Sequence, residues 1–236
     1  MGNSPAFYLI DPSDPESFRD EERFKRMADA ALSSGIRDIT LVSARPSGRE
    51  VRFLEQITAK APDTRKSFFF KRGRSPLLKA RHCRVSDFSF SGLIAEFGKN
   101  IDQSAIFAVE DAENELANSG EHFIRKMVEW NKEKNISALA LKKIPFSDVG
   151  GRMMVKGNLI SPGEYRITSL FQIETPLQSA SNLALLNRFL LSPLFFKIFF
   201  ETLTAGIENP FLESLDLMVK RETVQGFLPF APILIR

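Results

Sequence analysis

Short, wholly apolar runs recur along this chain, separated by stretches whose apolar residues fall at helical spacing, and that alternation restricts the fold more than any other feature. The runs are AFYLI (6 to 10), ITLV (39 to 42), SFFF (67 to 70), AIFAV (105 to 109) and ISALAL (136 to 141). Runs this short with no polar alternation predict strands buried on both faces. Between them, RFKRMADAALSS places Phe24, Met27, Ala31 and Leu32 on one helical face, with Gly35 as a stop. FLEQITAK (53 to 60) and HFIRKMVEW, with Phe123, Met127 and Trp130 together, repeat the helical period. Strand and helix in alternation predict a parallel sheet with helices on both faces.

The second half changes character. RMMVKGNLISPGEYRITSLFQIET predicts short strands separated at Gly157-Asn158 and at Pro162-Gly163, a hairpin-like insertion that makes the sheet mixed. Two helices are then expected, SNLALLNRFLLSPLFFKIFFETL broken near Pro193 and NPFLESLDLMVKRE, before a final strand VQGFLPF. The predicted class is α/β: a Rossmann-like, three-layer α/β/α arrangement with a mostly parallel mixed sheet and a small β-hairpin insertion. No repeat or linker divides residues 1–236, which are expected to form a single domain.

With 236 residues, 43% hydrophobic and 26% charged, the chain can bury one substantial core. The single cysteine, Cys83, excludes an internal disulfide and a multi-cysteine zinc site, so a cytoplasmic location is expected. The N-terminal residues do not read as a secretory signal. The most apolar stretch, 183 to 200, is interrupted by Asn187, Arg188, Pro193 and Lys197, which predicts a buried or partner-covered segment rather than a membrane span. A net charge of +3 is too small to imply nucleic-acid binding. Its distribution is uneven, however: RKSFFFKRGRSPLLKARHCR (65 to 84) carries Lys71, Arg72, Arg74 and further basic residues with no acidic one. Either the strip holds phosphate groups or it is a solvated strand and loop whose Phe68, Phe69 and Phe70 enter the core. His82 and His122 are distant in sequence, and Cys83 beside His82 on a strand would face the other way, so no cysteine-histidine pair is expected.

Four segments from Phe107 to Phe227 resemble, in order and spacing, the bacterial UTP-glucose-1-phosphate uridylyltransferases and related nucleotide-sugar pyrophosphorylases: MVEWNKEKNISALALKKIPFSDV, VKGNLISPGEYRITSLFQIETP, SNLALLNRFLLSP and ESLDLMVKRETVQGF. SSGIRDITLV (33 to 42) extends the match toward the N-terminus. The resemblance implies a nucleotide-diphospho-sugar transferase-like fold and in-line attack of a sugar 1-phosphate on the α-phosphorus of a nucleoside triphosphate. That chemistry relies on positioning and charge neutralisation by a Gly-rich loop, basic residues and carboxylate-held Mg²⁺.

Residue by residue, the match is incomplete. DPSDPESFRDEE stands where the family has its Gly-rich signature and lysine; it has no glycine, is short, and sets six carboxylates against Arg19. The glycine pair and glutamine that read uracil should follow SFFF, where KRGRSPLLKARH offers only Gly73. Glu113 stands at the place of a metal-binding aspartate, and Ile173-Glu174-Thr175-Pro176 keeps the sugar-binding glutamate while replacing the phosphate-facing lysine. Asn182 and Ala184 match the family's sugar segment, Met153 replaces a glycine at the sugar, and Glu213 replaces an aspartate. The expected function is that of a catalytically impaired relative that binds a sugar nucleotide or sugar phosphate, or regulates an active paralogue. The alternative is an active nucleotidyltransferase using Lys71, Arg72 and Arg74 for phosphate and Glu113 for Mg²⁺. A homo-oligomer, or a hetero-oligomer with an active paralogue, is the expected assembly, with LFFKIFF as a candidate interface.

Overall fold

The computed structural model describes residues 5–11, 21–36, 38–43, 79–84, 89–101, 103–109, 124–130, 136–172, 181–221 and 224–227. The predicted strand SFFF and helix FLEQITAK lie outside the described residues. The described strands are β1 (Ala6–Asp11), β2 (Asp38–Ser43), β3 (Lys79–Arg84), β4 (Ala105–Val109), β5 (Ser137–Lys143), β6 (Met153–Ser161), β7 (Glu164–Gln172), β8 (Leu183–Leu191) and β9 (Val224–Phe227). The helices are α1 (Glu21–Ser33), α2 (Phe90–Phe97), α3 (residues 124–130), α4 (Pro193–Thr204) and α5 (Pro210–Lys220).

These strands form one sheet in the order β3-β2-β1-β4-β8-β5-β9-β7-β6. By pairing sense β7 and β8 run against the rest, so the sheet is mixed with most strands sharing one direction. An additional pairing of Met154 with Ala184 and Val155 with Leu183 joins β6 to β8, closing a ring of pairings through β8, β5, β9, β7 and β6.

The apolar runs bury both faces, as strands sandwiched between helices must. Ala6, Tyr8 and Ile10 of β1 and Ala105 and Phe107 of β4 join a core with α2, α4 and α5. Their neighbours Phe7, Ile106 and Ala108 face the opposite way into a second core with α1 and α3. This is the three-layer arrangement the alternation predicts. Helix α1 stops because Gly35 takes φ of 89°, letting its N–H donate to Leu32 O and the Ile36 N–H donate to Ala31 O, each at 3.0 Å.

Two expectations need correction. LALLNRFLL is not helical: it is β8, antiparallel to both β4 and β5. Its apolar residues, interrupted only by Asn187 and Arg188, fit a buried strand as well as a helix, and the helix begins only at Pro193, whose fixed φ and missing N–H suit a first helical position. Gly157-Asn158 is not a turn. Strand β6 runs through it with an irregularity after Lys156, and a β-carbon on Gly157 would lie 2.8 Å from Arg166 O, so glycine serves close approach there. The turn sits at Pro162-Gly163, where Gly163 has φ of 80°. Within LFFKIFF, Phe195, Phe196, Ile198 and Phe199 are buried in the first core, in line with the buried segment expected there, while Leu194 is exposed.

No described helix is long and apolar enough to cross a membrane.

Candidate functional site

Strand β1 has β2 on one side and β4 on the other, although β4 is reached only after β2 and β3. In open α/β sheets such a reversal leaves a crevice outside the carboxyl ends of the parallel strands, where ligands bind. The segments that leave β1 and β4 at that end, 12–20 and 110–123, lie outside the described residues.

Further along the same end, the described elements surround a cleft of about 580 Å³, within the usual range for small-molecule sites. Helix α2 reaches it because only residues 85–88 separate β3 from Ser89, the cap of α2. Ser89, Phe90 and Ser91 form one wall, and Asn209, Phe211 and Leu212 from the start of α5 form another, with Glu208 beside them. The entry to β6 (Arg152 and Met153), the end of β7 (Gln172) and Leu185 of β8 complete it. Met153 and Gln172 are register partners, so one rung of the hairpin supplies both.

Local chemistry fixes these walls. Ser89 Oγ accepts from the Gly92 N–H at 3.0 Å, and Asn209 Oδ1 accepts from the Leu212 N–H at 3.2 Å, so each helix starts with a side-chain cap. Phe90 meets Phe189 edge-on at 4.6 Å and stacks on Phe211 at 5.0 Å, tying the two helix starts to β8. Thr202 and Ser214, both buried, lie 3.0 Å apart through their hydroxyls and hold α4 against α5. Arg152 Nε donates to Asp148 O at 3.0 Å, which sets the guanidinium at the cleft mouth.

The lining is divided by burial. Phe211 is buried, and Phe90, Met153, Leu185 and Leu212 are half-buried, forming an apolar floor. Ser89, Arg152, Gln172, Glu208 and Asn209 are exposed, with Ser91 between. The rim thus carries one cation, one carboxylate and the partly positive starts of two helices.

No family model matches the chain. A curated relative from Methanocaldococcus jannaschii, provisionally named a UTP-glucose-1-phosphate uridylyltransferase, is 26% identical over 106 residues. That match covers 44% of this chain and only 38% of the relative. Among solved structures, a UDP-glucose pyrophosphorylase complexed with UDP-glucose superposes with a TM-score of 0.62 at 13% identity, covering 95% of this chain and 90% of that one. A UTP-bound pyrophosphorylase from Acinetobacter baumannii gives 0.60 at 11% identity, covering 95% and 86%. The chain has the fold of the UDP-glucose pyrophosphorylases.

On this pyrophosphorylase fold, the residues singled out in the sequence separate into three groups. Met153 lines the cleft directly. Asn182 and Ala184 lie at the head of β8 beside it but are not among its lining: the Asn182 carbonyl accepts from the Ile144 N–H at 3.0 Å, and Ala184 packs with Ile144, Val149 and Met154. Strand parity explains this, since Met154 and Ala184 turn into that small core while Met153 and Leu185 turn to the cleft. Glu213, in the first turn of α5, follows the lining residue Leu212. Glu174, Lys71, Arg72, Arg74 and Glu113 lie outside the described residues.

Part of the basic strip is described. Its last six residues, Lys79–Arg84, are β3, parallel to β2. The segment leaving the carboxyl end of that strand is 85–88 with the start of α2, and KRGRSPLLKARH up to Leu78 lies outside the described residues. Among the described residues, no group of three or more His, Cys, Asp or Glu side chains could hold a metal ion.

Sequence reasoning missed Ser89, Phe90, Arg152, Gln172, Glu208, Asn209 and Phe211. The helix-start signals were nonetheless present: Ser89 before FSGLIAEF and Asn209-Pro210 before FLESL.

Proposed function

We propose that this chain binds a sugar nucleotide in the cleft beside β6, β7 and β8, with the sugar over the Met153 and Leu185 floor, and that its nucleotidyl transfer is impaired. The observation carrying the binding reading is the placement of the cleft at the carboxyl end of a sheet that shares the pyrophosphorylase fold. One such fold relative is a complex with UDP-glucose. The segment from β7 to β8, residues 173–180, leaves Gln172 at the cleft wall and carries Glu174, a carboxylate suited to sugar hydroxyls. Asn182 and Ala184 then act by setting the backbone that carries Leu185.

Impairment is argued from the connection between β1 and α1. Strand β1 ends at Asp11 and α1 begins at Glu21, so the connection is the nine residues 12–20. It contains no glycine and holds Asp14, Glu16 and Asp20 against Arg19. Backbone N–H groups cradle a triphosphate best where no β-carbon intervenes, and a net negative segment repels the ligand. In an active enzyme Mg²⁺ would neutralise charge on the phosphates, with Glu113 as the carboxylate offered by the resemblance and Lys71, Arg72 and Arg74 as the basic groups.

The test is pyrophosphate release from UTP and glucose 1-phosphate with Mg²⁺, alongside calorimetric titration with UDP-glucose. Binding of UDP-glucose without turnover is expected. Turnover at about 1 per second or faster overturns the impairment, since that is an ordinary enzyme rate. No binding of any sugar nucleotide overturns the assignment of the cleft.

A further inference from the structure

The division of the cleft between floor and rim bears on which sugar it takes. A hexose such as glucose presents hydroxyl groups around its whole ring, and each needs a partner once removed from water. Among the described residues the floor offers none from its side chains: Phe90, Met153, Leu185, Phe211 and Leu212 supply only carbon, sulfur and aromatic surface. Among the described lining residues, the hydrogen-bonding side chains Arg152, Gln172, Glu208 and Asn209 are exposed at the mouth, and Ser91 is half-buried between mouth and floor. Those on the helix starts are partly committed, since Ser89 Oγ and Asn209 Oδ1 already accept from the backbone of their own helices.

Resting on the sugar-nucleotide reading above, we propose that the cleft selects a deoxyhexosyl group, a sugar in which hydrogen replaces a hydroxyl on the face that meets the floor, either on the ring or at C6, where it leaves a methyl group. The polar edge of the same sugar meets the rim and the Glu174 carboxylate assigned to it above. Met153 is the specificity-determining residue, because its unbranched thioether follows the surface of the sugar and cannot donate a hydrogen bond. A hydroxyl forced against it loses water without gaining a partner, while a hydrogen or methyl group gains contact.

The test is titration calorimetry of the full chain with UDP-glucose, UDP-2-deoxyglucose and UDP-6-deoxyglucose, so that base and diphosphate stay constant. At least one deoxy compound is expected to bind about 10-fold tighter than UDP-glucose, the scale set by one unpaired polar group or one methyl in a pocket. In Met153→Ser that preference falls toward unity, because the new hydroxyl can pair with a sugar hydroxyl; a purely structural role for Met153 would weaken all three compounds equally. Thermal unfolding of the variant verifies that it folds, and the wild-type comparison stands without it. Equal or tighter binding of UDP-glucose by the wild type overturns the deoxyhexose assignment alone. Failure of all three compounds to bind overturns the sugar-nucleotide reading itself.

Discussion

Replacing Gly226 by alanine tests how the hairpin of β6 and β7 is held against the parallel part of the sheet. Gly226 lies in β9, beside Leu139 of β5 and Tyr165 of β7. A β-carbon there would stand 2.5 Å from Leu141 Cδ1, 2.7 Å from Ile167 Cδ1 and 3.0 Å from Leu141 Cγ. Non-bonded carbons settle at about 3.5–4.0 Å, so the new methyl must displace its neighbours by about 1 Å. Leu141 is 0% and Ile167 2% exposed, and neither can swing into solvent. The expected loss is about 1–3 kcal/mol, the usual range for overpacking. Urea unfolding followed by the fluorescence of Trp130, the single tryptophan, measures it as a lower midpoint at unchanged slope. Leu141→Ala removes two of the three clashing atoms, so the double variant should lie at least about 0.5 kcal/mol above the sum of the single effects. A Gly226→Ala variant within about 0.5 kcal/mol of wild type, or strictly additive behaviour in the pair, refutes the packing argument.

Ser214→Ala removes a buried hydroxyl that donates to Pro210 O at 2.5 Å and meets Thr202 Oγ1 at 3.0 Å; a loss of about 1–3 kcal/mol is expected in the same unfolding assay. Because that bond fixes the first turn of α5, UDP-glucose affinity should fall with it, as read by calorimetry. Gly35→Ala meets no atom within 4 Å, so its cost, about 1–2 kcal/mol, arises from the positive φ alone, and Gly35→Asn should cost less. The Lys220 amine is held above its ordinary range by the Asp216 carboxylate, first as a hydrogen-bond acceptor and then as a charge, with a smaller contribution from Glu213. Whatever stability this exposed pair adds is fully present below the ordinary lysine range and disappears as the pH rises through the raised value. Asp216→Asn should return the amine toward its ordinary range in an NMR titration.

The legible part of the fold was the part whose packing leaves a mark on composition. β1, β4 and β5 are buried on both faces, and a run such as AIFAV has little other use in a charged chain. α1 was legible because Met27 and Ala31 face the core and Gly35 supplies a conformation few residues tolerate. β8 was not, for the opposite reason. Its Arg188, fully buried within the strand, reads in sequence as the polar face of a helix, and only the three-dimensional setting removes that reading. α2 is eight residues long, too short for its period to stand out, although Ser89 caps it in the expected way.

The cleft was legible only through resemblance, and the reason lies in strand parity. Ala184 and Met154 pair across β8 and β6 and turn into a small core with Ile144 and Val149, where volume restricts the choice of residue. A match to a known family therefore falls readily on a residue such as Ala184. Their neighbours Leu185 and Met153 turn the other way, into the cleft, where close packing restricts the choice of residue less. The rim is further removed still: Arg152, Gln172 and Glu208 are exposed, lie on three separate segments, and obey no period. They converge because β6 and β7 fold back to close the ring onto β8, which brings Arg152 and Gln172 opposite the start of α5. If the cleft binds the proposed sugar nucleotide, a departure from the resemblance at Met153 bears on the ligand more directly than an agreement at Ala184 does.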